Sequence, residues 1–188
     1  MESSLIVYDA TRKPSLLDES WGSGAFSMWL RGRSDGMLGA LSWKEVFQWL
    51  KQRREDHGPI KELQFWGHGH PGEAYINGKS IRDVIGHLDW KELMDKNGLW
   101  WFRTCSTFHG EEGKKLAEQF SALLGCRVAG HTHKIGFPTH SGLHSILPFE
   151  KANWKDNEGK KKNGKIKGSL CLRTRTIPFW RNTIPKGW

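Results

Sequence analysis

Apolar residues in this chain fall into short runs that alternate with longer segments of helical spacing. "LIVY" (Leu5 to Tyr8), "IKELQFW" (Ile60 to Trp66) and "LWWF" (Leu99 to Phe102) are β-prone runs of the length expected for strands buried in a parallel sheet. "AFSMWL" (Ala25 to Leu30) predicts a further strand before the Gly-rich turn "RGRSDGMLG", and "CRVAGHTH" predicts another. In "SWKEVFQWLKQRRED", Ser42 and Glu45 form a capping box, and Trp43, Val46, Phe47 and Leu50 line one helical face. "EEGKKLAEQFSALLG" places Leu116, Phe120, Leu123 and Leu124 on one stripe, carries acidic residues in its first turn and stops at Gly125. Ser80 and Asp89 each start a short predicted helix, "SIRDVIGHL" and "DWKELMDKNG", and the Asn-Gly of "EAYING" predicts a small hairpin after His70. "LHSILPF" and "SLCLRTR" flank a lysine-rich segment as a terminal hairpin.

Strands alternating with helices predict an α/β three-layer sandwich, with a mostly parallel sheet and helices on both faces. The 188 residues suit one domain, spanning 1–188. A hydrophobic fraction of only 37% is offset by 11 Trp and 9 Phe, which bring large apolar area per residue. Trp43, Trp66, Trp100 and Trp101 lie in helix stripes or strand runs and are expected in the core, whereas Trp154, Trp180 and Trp188 have no such explanation.

Charge changes the picture in one place. The formal net charge is +9, and much of the excess sits in "KANWKDNEGKKKNGKIKG" (Lys151 to Gly168), which reads as a flexible basic surface loop. Such a surface suits an acidic partner; nucleic acid is the less expected one, because the run lacks interleaved aromatic residues. No apolar run approaches the length of a membrane span, and "MESSLIVYDATRK" lacks the basic start and apolar middle of a signal peptide, so a cytoplasmic protein with no membrane partner is expected. Cys105, Cys126 and Cys171 include no C-x-x-C pair, which argues for free thiols and against a disulfide framework.

Candidate chemistry collects where strands end, because reacting groups in open α/β sheets gather beyond the C-terminal strand ends. Asp9, His68 and Cys105 each follow an apolar run within three residues and are expected at one common edge. Cys105 precedes a short Gly-containing loop and a helix start, so the helix dipole and a nearby imidazolium would favour its thiolate. His68, on a glycine-flanked turn, is placed to protonate a leaving amine, and the backbone N–H groups of Gly69 and Cys105 are suited to an oxyanion. Composition alone also allows Cys105 to be a small buried hydrophobe. A zinc site is the competing reading: "HGH" (His68 and His70) and "HTH" (His131 and His133) each pair two imidazoles, with His109 between them in sequence. No carboxylate lies near either pair to serve as a base for bound water, so neither metal nor cofactor is expected.

The order "FWGHGHPGEAYING", then "LWWFRTCSTFHGEEGKKLAEQFSALLGCRVAG", resembles the caspase-like cysteine peptidases, the group of caspases, clostripain, gingipains and legumain. It looks most like the caspase-like domain of large bacterial surface proteins, and the similarity covers roughly Leu5 to Gly130. The resemblance implies a caspase-like fold and a cysteine endopeptidase acting on a peptide or protein substrate, with His68 and Cys105 catalytic and Gly69 at the oxyanion. The family's acidic residue before the cysteine is Thr104 here, and no specificity-pocket motif follows Gly130. Asp9, His70, Arg103, His109 and His131 are candidate rim or substrate-binding residues, and Arg31, Arg33 and Arg103 are the cations available to an acidic substrate side chain. The alternatives are a non-catalytic module of the same fold that binds an acidic partner or nucleic acid, and a zinc-dependent hydrolase.

Overall fold

The computed structural model describes residues 4–11, 34–169, 173–185 and 187–188. The predicted strand "AFSMWL", Arg31, Arg33 and Cys171 lie outside them. The chain is α/β, built on a mostly parallel mixed sheet. Its strands are β1 (Ser4–Asp9), β2 (Gly36–Ala40), β3 (Ile60–His70), β6 (Met94–Thr104), β7 (Arg127–His131) and β9 (Leu143–Ile146), in the order β2-β1-β3-β6-β7-β9. Every neighbouring pair in that order is parallel except β7 with β9. β4 (Glu73–Ile76) and β5 (Lys79–Ser80) extend the end of β3 as antiparallel ribbons, and β8 (Thr139–Ser141) pairs with β10 (Thr176–Pro178) separately.

The pleat sorts side chains by parity. Leu5, Val7, Leu63, Phe65, Trp100, Phe102 and Val128 face one way and form the main core with α1 (Trp43–His57) and α3 (Gly110–Leu124). Trp43, Val46 and Leu50 of α1 and Leu116, Phe120 and Leu124 of α3 are the buried stripes expected from their spacing. The short α2 (Arg82–Ile85) packs Val84 and Ile85 against the same core. On the opposite face Ile6, Trp66, Leu99, Trp101 and Ala129 are covered by Ile177, Phe179, Ile184 and Trp188 of the C-terminal segment. Among the described residues the helices therefore share one side of the sheet, and extended chain covers the other.

Local signals explain most boundaries. The Ser42 hydroxyl accepts from Glu45 N–H at 3.2 Å, and the Glu45 carboxylate reaches back to Leu41 N–H at 2.7 Å, a capping box displaced by one residue. Asn77 and Gly78, at φ 52° and 70°, make the predicted Asn-Gly turn between β4 and β5.

Two expectations need correction. "DWKELMDKNG" is not a helix: Trp90 is fully buried against Phe47, Trp100 and Phe120, Glu92 takes a left-handed turn (φ 64°), and Met94 already begins β6. The gain from burying an indole outweighs modest helix propensity over so few residues. "GMLGA" is a strand rather than a turn, because a Cβ on Gly39 would lie 2.6 Å from the Tyr8 hydroxyl, so glycine here lets a neighbouring aromatic lie flat on β2. Residues 170–172 of "SLCLRTR" lie outside the described residues, so that predicted strand is not described; among the described residues Thr176–Pro178 follows the lysine segment as a strand and pairs with Thr139–Ser141. Among the described residues no helix is long and apolar enough to cross a membrane.

Candidate active site

The C-terminal ends of β1, β3 and β6 reach one edge of the sheet. Gly67 pairs with Thr104 in the parallel register, so His68, still within β3, and Cys105, just past the end of β6, each follow the last paired position. By pleat parity His68 belongs to the face of Trp66, away from the helices, whereas Cys105 lies in the turn that follows β6.

Beyond Gly67 the two chains stay in contact. A Cβ on Gly69 would lie 2.4 Å from Thr107 Oγ1, 2.7 Å from the Cys105 carbonyl oxygen and 2.8 Å from Thr104 Cβ, so only glycine lets the His-containing strand end press against the Cys105 turn. Gly72 N–H donates to the Thr107 carbonyl at 2.9 Å, Thr107 Oγ1 donates to the Glu73 carbonyl at 3.2 Å, and the hydroxyls of Thr104 and Thr107 bond to each other. On its other side the turn is tied to the end of β7, with Ser106 N–H donating to the His133 carbonyl at 2.8 Å and Phe108 N–H to that of His131 at 3.0 Å. Ser106, directly after the cysteine, has φ 51°, an uncommon conformation for a residue with a side chain.

The Cys105 thiol is half-buried and donates to the Ile135 carbonyl at 3.6 Å. Burial raises its pKa, while the Lys134 ammonium pulls it the other way. At rest the sulfur is a thiol held in a weak hydrogen bond. Phe137, on the same loop as Ile135, is 80% exposed and packs edge-on against Phe179, leaving an aromatic lip beside the turn.

No protein-family model, curated protein or solved structure matches this chain.

The other predicted rim residues scatter. Asp9 reaches the same edge but is buried, its carboxylate accepting from Thr11 N–H at 3.1 Å and Thr11 Oγ1 at 2.6 Å to close the chain turn after β1. His70 is exposed and packs edge-on against Tyr75. His109 is the N-cap residue of α3, and its ring nitrogen Nδ1 donates to the Glu158 carbonyl at 2.8 Å.

Arg103 and His131 are interior residues, not rim residues. The Arg103 guanidinium lies between the Trp66 and Trp101 rings, 4.2 and 4.3 Å from their centroids, and donates to Gln64 Oε1 and to the carbonyls of Phe179 and Arg181. Burial lowers its pKa to about 9, which leaves it charged at neutral pH. His131 accepts from Trp101 Nε1 at 3.2 Å and donates from Nδ1 to the Ser141 carbonyl at 3.1 Å, and burial lowers its pKa to about 3, so it is neutral. Both are consumed by packing the C-terminal segment and β8 onto the sheet.

Sequence reasoning missed a polar cluster centred on Glu158. His144 Nε2 donates to Glu158 Oε1 at 2.6 Å, Thr132 Oγ1 donates to the same oxygen at 2.8 Å, and His133 Nδ1 donates to Thr132 Oγ1 at 2.9 Å. Burial works against the Glu158 charge, but the bonds from His144 and Thr132 hold its pKa below the usual range. His144 stacks on Trp154, which stacks in turn on Phe108 and donates from Nε1 to the Phe108 carbonyl at 2.8 Å. The one sequence signal was a glutamate and a tryptophan embedded in a lysine run. Among the described residues no three His, Cys, Asp or Glu side chains converge as a metal-binding group, and the two histidine pairs of the zinc reading do not meet.

Proposed function

We propose that this chain is a cysteine endopeptidase of caspase-like fold. The observation that supports the reading is the Gly67–Thr104 register, which leaves His68 and Cys105 each one residue beyond the last paired position at the C-terminal edge, with Gly69 pressed on the Cys105 carbonyl. In this reading Cys105 Sγ attacks the scissile carbonyl and its proton passes to His68. The carbon–sulfur bond forms, the oxyanion is held by the N–H groups of Gly69 and Cys105, and His68 gives the proton to the departing amine. Water then hydrolyses the thioester and regenerates the thiol. Substrate entry displaces the Ile135 contact, since the resting thiol donates there. The mostly parallel sheet with its helical layer supports an α/β sandwich of the kind the resemblance implies, and the free thiols Cys105 and Cys126 suit a cytoplasmic enzyme.

A second reading has an observation in its favour. The pKa of Cys105 is raised, not lowered, which suits a non-catalytic module that kept the fold. Cleavage of a fluorogenic peptide library separates the two: the peptidase reading expects turnover that falls at least about a thousandfold in both Cys105→Ala and His68→Ala, because the proton-transfer partner and nucleophile act as one unit. Turnover absent from the native chain, or unchanged in Cys105→Ala, rejects it.

A further inference from the structure

The lysine-rich segment is not the free loop its composition predicts. Its acidic residues are paired with groups outside it: the exposed Asp156 with Lys114 of α3, and the half-buried Glu158 with His144. Trp154 is buried, and Lys160 bridges to Ile166 across an Asn163-Gly164 turn, so residues 155–167 form a docked hairpin. With both acids paired to residues outside the hairpin, the hairpin shows solvent a row of lysines: Lys155, Lys160, Lys161, Lys162 and Lys165 are exposed, and none has an ion pair among the described residues.

The hairpin's other strand runs to the candidate active site. Lys167 N–H donates to the Gly159 carbonyl at 2.6 Å, and the Lys167 carbonyl accepts from Lys134 N–H at 2.9 Å. Lys134 is exposed, its charge acts on Cys105, and the next residue, Ile135, accepts the thiol's hydrogen bond. Positive charge therefore continues from the hairpin tip to the flank of the cysteine.

We propose that this hairpin, together with Lys134, is a recruiting surface for an acidic segment of a protein substrate, which it holds beside Cys105. The inference rests on the peptidase reading for the word substrate, but its binding step does not need catalysis. A polypeptide is favoured over nucleic acid because residues 155–167 carry no aromatic side chain on which a base would stack. Converging like charges on a fixed scaffold speed encounter with an opposite charge and give strongly salt-dependent binding.

The test uses the full chain, fluorescein-labelled oligoglutamate as the probe and oligothymidylate as the competitor. Oligoglutamate should bind the Cys105→Ala chain at low ionic strength and weaken as salt rises. The combined variant Lys160→Glu, Lys162→Glu, Lys165→Glu should lose about tenfold or more in affinity, with its thermal midpoint unchanged because these side chains are exposed. Bound oligoglutamate should also slow iodoacetamide alkylation of Cys105 in the native chain. Tighter binding of oligothymidylate, equal binding by the charge-reversed chain, or binding that leaves Cys105 alkylation unchanged would each overturn the proposal. Binding with protection in a chain that cleaves no peptide would remove the peptidase reading alone and leave the recruiting surface standing.

Discussion

The carbonyl oxygen of Cys105 lies 2.7 Å from the point where a side chain on Gly69 would begin. Two segments far apart in sequence are thereby locked at a separation that no larger residue permits. Gly69→Ala places its methyl group against Thr107 Oγ1 and Thr104 Cβ as well, all three contacts shorter than real Cβ atoms show. We expect a loss of about 1–3 kcal/mol in urea unfolding from overpacking, together with a larger loss of turnover than of stability, because the turn that moves carries the thiol. A Gly69→Ala chain with native stability and native turnover would refute the contact's role.

Cys105 should alkylate more slowly at neutral pH than an unhindered thiol, and its rate should keep rising at pH values where a free cysteine has levelled off. Burial raises its pKa, so the thiolate fraction at any given pH is reduced. Lys134→Glu removes the opposing ammonium and should slow the reaction further. Cys126, buried and with its pKa pushed up to about 12, should react more slowly than Cys105 throughout. Iodoacetamide labelling followed by peptide mapping reads both cysteines in one experiment.

Acid should unfold this protein through its interior histidines. Burial lowers the His131 pKa from its ordinary 6.5 to about 3, and lowers that of His140 well below the same value. Between those limits the unfolded chain binds protons that the folded chain refuses, so the stabilisation from keeping His131 neutral is complete above pH 6.5 and is lost as pH falls toward 3. Each such histidine contributes a slope of at most about 1.4 kcal/mol per pH unit. His131→Gln should cost stability at pH 7, by loosening the bonds to Trp101 and Ser141, and should flatten the acid limb of the stability curve. An unchanged limb in chemical denaturation across pH would show that His131 does not carry it.

Glu158→Gln should release the hairpin without unfolding the domain. The amide oxygen can still accept from both Thr132 and His144 but loses the charge that strengthens both bonds, a change of about 1–3 kcal/mol for bonds to an ionised group. Trypsin should then cut after Lys160, Lys161, Lys162 or Lys165 faster than in the native chain, while the sheet core stays resistant. Equal cleavage rates would mean that Trp154 and the Asp156–Lys114 pair suffice to hold the segment.

What sequence made legible was decided by local periodicity. The stripes of α1 and α3, the Ser42 cap and the Asn77-Gly78 turn are interactions between residues at most four apart, so their pattern is written contiguously. The common edge for Asp9, His68 and Cys105 followed because the parallel register sets the C-terminal ends of β1, β3 and β6 level. Interactions across long stretches of chain were not legible. Trp90 overrode helix propensity by packing on Trp100 and Phe120, and Arg103 and His131 read as rim residues because their partners, Phe179, Arg181 and Ser141, come from segments with no pattern that points back to them. Glu158 was hidden for the opposite reason: a compositional signal of seven neighbouring cations outweighed one carboxylate whose partners, His144 and Thr132, lie outside the run.

The guanidinium wedged between two indoles sets an order of events during synthesis. Arg103 enters the sheet with Trp66 and Trp101 long before Phe179 and Arg181, whose carbonyls it requires, have been translated. A nascent chain halted short of those residues leaves the guanidinium to water in place of two carbonyls and keeps an apolar face of the sheet open to solvent. That face closes only once residues 179–181 clear the ribosome, and a translation product stalled before them should be caught by chaperones rather than released as a smaller folded body.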